Sequence, residues 1–252
     1  MYTIDLNCDI GEGYGNYQLG NDQEIVKYIT SANIACGFHA GDPATMDATV
    51  KLAIKHNVRI GAHPGLPDLN GFGRRIMHIT AKEAYQLITY QVGALFGFVK
   101  VNNSNLYHVK PHGALYNLAA NDQEIAEAIA QAIYDIDSDL TLFGLSHSHL
   151  TKAGEKLGLK VAHEVFADRS YQEDGTLTPR TVTGALLTND EQAMNQVIQM
   201  IKTGTATTMQ GNKISIKADT ICLHGDSPNT LPFVQQLHNR FKKEEINLLT
   251  NS

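Results

Sequence analysis

TIDLNCDIGEGYGN, residues 3–16, decides between the two folds open to this chain. The run from Thr3 to Asp9 reads as a strand, and a glycine-rich turn follows it. A dinucleotide-binding sheet needs glycine at the first, third and sixth positions of that turn. They serve the tight bend, the close approach of a pyrophosphate and the packing of the next helix. Gly11 and Gly13 fit, but the third required position is Asn16. No GxxxxGK[ST] occurs either, so a Walker-type ATP site in this chain is unsupported. The reading therefore favours a closed barrel over an open doubly wound sheet. Both place ligands at the carboxyl ends of their strands.

The strand-then-helix unit recurs along the chain. Further strands are expected at 32–38, 59–64, 106–111, 141–146, 161–168 and 220–226, which with 3–9 makes about seven. Between them lie segments of helical period. DPATMDATVKLAIKHN (42–57) has Asp42 to cap its first turn and Pro43 behind it. TAKEAYQLITYQVGALFGFVK (80–100) sets Thr80 and Glu83 at capping-box spacing. NDQEIAEAIAQAIYDI (121–136) and NDEQAMNQVIQMIKTG (189–204) both open on Asn-Asp. KISIKADTICLHGD (213–226) differs and reads as a hairpin feeding the last strand. No low-complexity segment, Pro/Ser linker or shift of composition divides the chain. One domain over 1–252 is expected, an α/β fold of (β/α)-barrel type with about seven parallel strands.

Composition narrows the function. The chain has 252 residues, 42% of them hydrophobic, which is ample material for a core. Its net charge is -6, and its only basic clusters are short pairs such as Arg74-Arg75 and Lys242-Lys243. That is no footprint for a nucleic-acid backbone, so a small-molecule substrate is expected. No apolar run approaches the roughly 20 residues that span a bilayer, and the start MYTIDLNCD reads as a strand rather than a leader. The expected setting is cytoplasmic, with no membrane partner. Three cysteines without CxxC spacing argue against a disulfide framework and a Cys-type zinc site.

Ionisable residues gather where the expected strands end. The first ends on Asp9 with Glu12 beyond it, the second on His39 and Asp42, the third on His63. VKPHGALYN (109–117) sets Lys110 and His112 astride a proline, between a strand and a helix start. The sixth strand ends on Glu164, Asp168 and Arg169, the seventh on His224 and Asp226. In a barrel these ends converge on one mouth. Carboxylates and imidazoles are costly to bury unless paired, hydrogen-bonded or bound to a metal, so packing alone does not account for the set.

Two chemistries suit it, and the residues leave both open. Asp and His in a barrel mouth, with His39, His63 and His224 as the candidate ligands, are suited to a divalent ion such as Zn or Mn. Such an ion lowers the pKa of bound water and so supplies a nucleophile at neutral pH. No HExxH or other tight ligand spacing marks the site. Without a metal, one carboxylate serves as general base for water while Lys110, Arg169 or a cationic His stabilises the developing oxyanion. Arg74 and Arg75, behind Gly71 and Gly73, are candidates to fold over an anionic substrate group, with Glu164 and Asp226 as further substrate contacts. The competing reading is a surface turn with two solvated arginines. SYQEDGTLTPR (170–180) reads as a lid over the mouth or an ordinary turn, and Tyr14, Tyr17 and Tyr116 as candidate pocket walls. His147 and His149, two apart in GLSHSHL (144–150), are left out of the site.

Six blocks in order carry a resemblance: IDLNCDIGEGYG (4–15), NIACGFHAGDP (33–43), IGAHPGLPDLNGFGRR (60–75), VKPHGALYN (109–117), EVFADRSYQEDGTLTPR (164–180) and CLHGDSPN (222–229). Over nearly its whole length the chain resembles the LamB/YcsF family, described as the A subunit of the prokaryotic ATP-dependent 5-oxoprolinase. The resemblance implies a distorted (β/α) barrel akin to those of sugar deacetylases and some glycoside hydrolases. It also implies an activity in which, with two partner subunits, 5-oxoproline and ATP become L-glutamate, ADP and phosphate. ATP would then be a co-substrate held by the partners, in keeping with the missing P-loop, and this mouth would receive the activated lactam. In that scheme Asp9 or Glu12 is base or metal ligand, and His39, His63, His112 and His224 are ligands or proton carriers. Lys110 and Arg169 bind oxyanion and carboxylate, and Asp168 joins the catalytic set. The competing functions are a stand-alone metal-dependent hydrolase of C–N bonds and a non-catalytic 5-oxoproline-binding subunit. The number of ionisable groups favours catalysis, since a small carboxylate ligand needs only one or two.

Overall fold

The computed structural model of the chain describes residues 1–224 and 230–249, with His224 described by its backbone alone. Six parallel strands come first: β1 (Tyr2–Ile10), β2 (Ser31–Ala35), β3 (Arg59–His63), β4 (Leu106–Val109), β5 (Thr141–Leu145) and β6 (Lys160–Phe166). A short antiparallel pair, β7 (Thr205–Thr207) with β8 (Lys213–Ser215), precedes β9 (Thr220–His224). The order β1-β2-β3-β4-β5-β6-β9 returns to β1, whose Asp5–Asp9 pair with Thr220–His224. The sheet is closed, and the barrel reading stands over the open one. β10 (Ile246–Leu248) adds a parallel strand on Tyr2–Ile4, beyond the expected seven.

Eight helices appear among the described residues: α1 (Asp22–Ile25), α2 (Pro43–Lys55), α3 (Ala81–Val101), α4 (Gly113–Asn121), α5 (Gln123–Ile136), α6 (His149–Leu157), α7 (Asp190–Thr203) and α8 (Thr230–Lys243). The expected caps form. Asp42 accepts from the Ala44 and Thr45 amides, and Thr80 and Glu83 complete a capping box. In the two Asn-Asp openings different residues do the capping: Asp122 for α5, Asn189 for α7. Ile125, Ile129 and Ile133 line the buried stripe of α5, each stabilising the fold by about 1.5–3 kcal/mol through burial. α5 packs between α3 and α6. None of these helices is long and apolar enough to cross a membrane.

Three local expectations change. Residues 213–215 do form a hairpin, but with Thr205–Thr207 rather than with the last strand. Gly204, in the left-handed region at φ 62, ends α7 and turns the chain straight into β7. β4 stops at Val109, because Pro111 has no N–H for the ladder. His147 sits in a left-handed turn at φ 61 and His149 opens α6, so the two share no strand face.

Candidate active site

The barrel lumen is polar where a layered apolar filling is usual. Asp5, Asn7 and Asp9 alternate along β1 and so share one face. Their partners lie on strands across the barrel, which makes that face the lumen. Near the floor Asp5 accepts hydrogen bonds from Thr30, Ser31 and Thr220 at 2.7, 2.7 and 2.5 Å. Burial nonetheless raises the Asp5 carboxyl above its ordinary range. One layer higher, the Asn33 amide donates to Asn7 Oδ1 and Asp9 Oδ1, both at 2.7 Å. Its oxygen therefore accepts from His108 Nε2, at 2.6 Å. Burial, with the Lys110 charge nearby, holds the His108 pKa well below the usual histidine range, so the ring is neutral. The His108 ring crosses directly over Gly61, where a Cβ would lie 2.0 Å from Nε2. Only glycine fits there.

Lys110, at the end of β4, is the hub. Its Nζ lies 2.9 Å from Asp9 Oδ1, 2.8 Å from Glu164 Oε1, 3.2 Å from Asn7 Oδ1 and 3.0 Å from Cys222 Sγ. Burial works against its charge, but Asp9, the Cys222 sulfur and Glu164 outweigh burial and leave its pKa well above the usual lysine range. An ammonium has three hydrogens, and these neighbours take them all. That changes two expectations. Lys110 has no hydrogen left for a substrate oxyanion, and Glu164, fully buried behind it, holds the lysine rather than facing a ligand. What the pair does is fix Asp9, whose Oδ1 is tied to Asn33 and Lys110 while Oδ2 turns toward His63 Nε2, 3.3 Å away.

Beside Asp9 stand Glu12, His39, His63 and His112, all buried, with one ligand atom from each within 4.8 Å of the others. His63 ends β3, and the loop beyond it is clamped by Gln91 of α3, which exchanges two 2.9 Å hydrogen bonds with the Gly65 backbone. His112 precedes α4, where Gly113 at φ +54 lets the chain pass Gly73, whose oxygen would lie 2.6 Å from a Cβ. Burial, then its histidine neighbours, pulls His39 well below the ordinary range, and burial with His63 does the same to His112. Neither His39 nitrogen has a hydrogen-bond partner.

Above this cluster opens a cavity of about 930 Å³. Asp9, His63, Lys110 and His112 line its floor, and Arg74, Arg169 and Arg180 line its wall. Arg169 is buried; one guanidinium nitrogen donates to the Thr178 carbonyl at 2.5 Å, and Nε has no partner. Burial first, and then the Arg180 charge, lowers its pKa, so the pair of cations favours an anion. Gln172, Thr176 and Pro179 show that segment 170–180 forms part of this wall. The Arg74-Arg75 pair is split: Arg74 lies 5.0 Å over the Phe72 ring at the cavity, whereas Arg75 binds Asp68 on the surface. Asp168 is half-buried beside Arg169 and outside the cavity lining. Tyr116 lines the cavity, while Tyr14 and Tyr17 are exposed and bridge each other. Asp226 and the His224 side chain lie outside the described residues.

A family model matches residues 4–252, and it is that of LamB/YcsF. The chain belongs to the LamB/YcsF family. Two LamB/YcsF-type relatives carry the name of the A subunit of 5-oxoprolinase. That of Bacillus subtilis (strain 168) is 56% identical over 246 residues, spanning 98% of this chain and 96% of its own. That of Brevibacillus brevis is 59% identical over 237 residues, spanning 94% and 93%. Among solved structures, the lactam utilization protein of Thermus thermophilus matches with a TM-score of 0.92 at 39% identity, over 99% of this chain and 100% of that one.

Reading this LamB/YcsF chain for strand ends missed Asn7, Asn33 and His108, which orient Asp9 from below, and Arg180 in the wall. The first two had a signal. A strand buried on both faces normally reads as continuously apolar. Polar residues at every second place in DLNCD, and at Ser31 and Asn33, mark the side that faces the lumen.

Proposed function

We propose that this chain is the lactam-opening subunit of an ATP-dependent 5-oxoprolinase, working in the cytoplasm with two partner subunits. The observation that carries the reading is the pairing of an immobilised carboxylate, Asp9, with a cavity wall holding the unpartnered Nε of buried Arg169. The names of the relatives supply the substrate: 5-oxoproline has one carboxylate for the arginines and one amide carbonyl to set above Asp9. A γ-lactam is a poor electrophile. In this reading the partners bind ATP and transfer its γ-phosphoryl group to the lactam oxygen, and the two anionic groups of the activated substrate meet Arg74, Arg169 and Arg180.

Asp9 then acts as general base. Asn33 and Lys110 fix its Oδ1, and Oδ2 takes a proton from water as that water adds to the ring carbonyl carbon. The proton passes to the ring nitrogen, the C–N bond breaks and the nitrogen leaves as the α-amine. The γ-carboxyl phosphate formed loses phosphate to a second water, giving L-glutamate.

The test is L-glutamate release from 5-oxoproline and ATP by this chain alone, by the partner subunits alone and by the mixture. Release by the mixture only is expected, with Asp9→Asn lowering turnover at least about 100-fold. Release by the partners without this chain would refute the assignment.

A further inference from the structure

We infer that the mouth binds one divalent transition-metal ion through His63 Nε2, His112 Nδ1 and a carboxylate oxygen of Glu12. Two backbone carbonyls fix the ring tautomers. His63 Nδ1 lies 2.8 Å from the Lys110 carbonyl oxygen, and His112 Nε2 lies 2.8 Å from that of Phe72. A carbonyl oxygen only accepts, so these two nitrogens carry the ring hydrogens. The other two, His63 Nε2 and His112 Nδ1, are left with bare lone pairs, and they face each other at 2.9 Å. Two lone pairs at that distance repel unless a cation sits against both. Asp9 Oδ2 approaches His63 Nε2 at 3.3 Å, and Glu12 Oε1 lies 3.7 Å from His112 Nδ1, which adds negative charge at the same point.

The spacing suits an ion. Metal bonds to nitrogen and oxygen are about 2.1 Å, so one ion reaches two atoms less than about 4.2 Å apart. All three separations meet that limit. Histidines that donate their second nitrogen to a backbone carbonyl are oriented as metal ligands commonly are. His39 is excluded from the set by geometry: its ring stacks on His112 with centroids 3.7 Å apart and planes 4° from parallel. Lone pairs lie in the ring plane, and two parallel planes share no point. With Nε2 3.4 Å from Glu12 Oε1, His39 backs the carboxylate instead. Two imidazoles and one carboxylate favour a first-row ion from Mn to Zn over Mg or Ca, and leave positions open toward the cavity. The chemistry such an ion supplies is polarisation of a substrate oxygen. That use rests on the lactam-opening reading, whereas the binding does not.

The test uses the full chain, untagged and purified without chelator. Elemental mass spectrometry should find about one equivalent of a divalent transition metal per chain. After stripping, titration with Co²⁺ should give visible d–d absorption that saturates at about one equivalent. His63→Ala and His112→Ala should lose this absorption, Glu12→Gln should weaken binding at least about tenfold, and His78→Ala, which alters an exposed histidine, should keep it. Wild-type content needs no variant to fold. A wild-type chain with no ion and no Co²⁺ absorption would overturn the inference. So would full binding by a folded His112→Ala chain, or ¹⁵N-histidine spectra in which the pair shares a proton with Co²⁺ or Zn²⁺ present. A chain that holds the ion yet supports no glutamate release with its partners would sink the lactam reading and leave the metal site standing.

Discussion

Replacing Lys110 by methionine keeps the length of the side chain and removes its charge. The lysine is 2% exposed and lies 2.9 Å from Asp9 and 2.8 Å from Glu164. Its charge is whole at the assay pH: a lysine raised by its partners stabilises fully below the unfolded value of about 10.4 and loses that contribution only as pH rises through the folded value. Removing one member of a buried ion pair leaves the other uncompensated and costs about 3–5 kcal/mol. Glu164 is 0% exposed and Asp9 borders the cavity, so Glu164 carries the larger share. Adding Glu164→Gln to Lys110→Met should therefore recover roughly half the loss, about 2 kcal/mol, and Glu164→Gln alone should cost about 1–2 kcal/mol. Urea unfolding at pH 7.5, followed by circular dichroism, measures all four corners of the cycle. If Lys110→Met falls within about 1 kcal/mol of wild type, or the double variant is weaker than Lys110→Met, the buried ion-pair account is wrong.

Other perturbations test separate links. Asp42→Ala removes the cap of α2 and the acceptor of the Gly15 amide, and should lower stability by about 1–2 kcal/mol in the same assay. Gly61→Ala drives a methyl into the His108 ring and should cost about 1–3 kcal/mol. Part of that loss should return when His108→Ala is added, and strict additivity would count against the clash. His108 is held neutral by burial, so its folded pKa lies below the unfolded value of about 6.5. Its contribution is present above pH 6.5 and is lost as pH falls, at up to about 1.4 kcal/mol per unit. His108→Gln should flatten the stability profile between roughly pH 6.5 and 5 by that slope, and parallel profiles would refute the assignment. Arg169→Gln should raise the KM for 5-oxoproline in the mixed-subunit assay by roughly 10- to 100-fold, as expected for losing a hydrogen bond to a charged group. An unchanged KM would place the carboxylate elsewhere.

The sequence by itself determined the features that neighbours along the chain decide. Asn16 in place of a glycine pointed away from the open sheet, and Asp42, Thr80 with Glu83, and the Asn-Asp openings marked helix starts. Each rests on contacts between residues two to four apart, or on the period of one element. It also placed Asp9, Glu12, His39, His63, Lys110 and His112 at strand ends, which a barrel brings together. Only the tertiary structure decided what those groups do. Asn7 meets Thr220 across 213 positions of sequence, and Lys110 meets Cys222 across 112. No local pattern records which acceptors take the three hydrogens of Lys110. None separates Arg74 from Arg75, or stacks His39 on His112 and so withdraws it from the proposed ligand set. Closure of the barrel sets those distances, because the lumen brings into contact side chains from strands far apart in the chain.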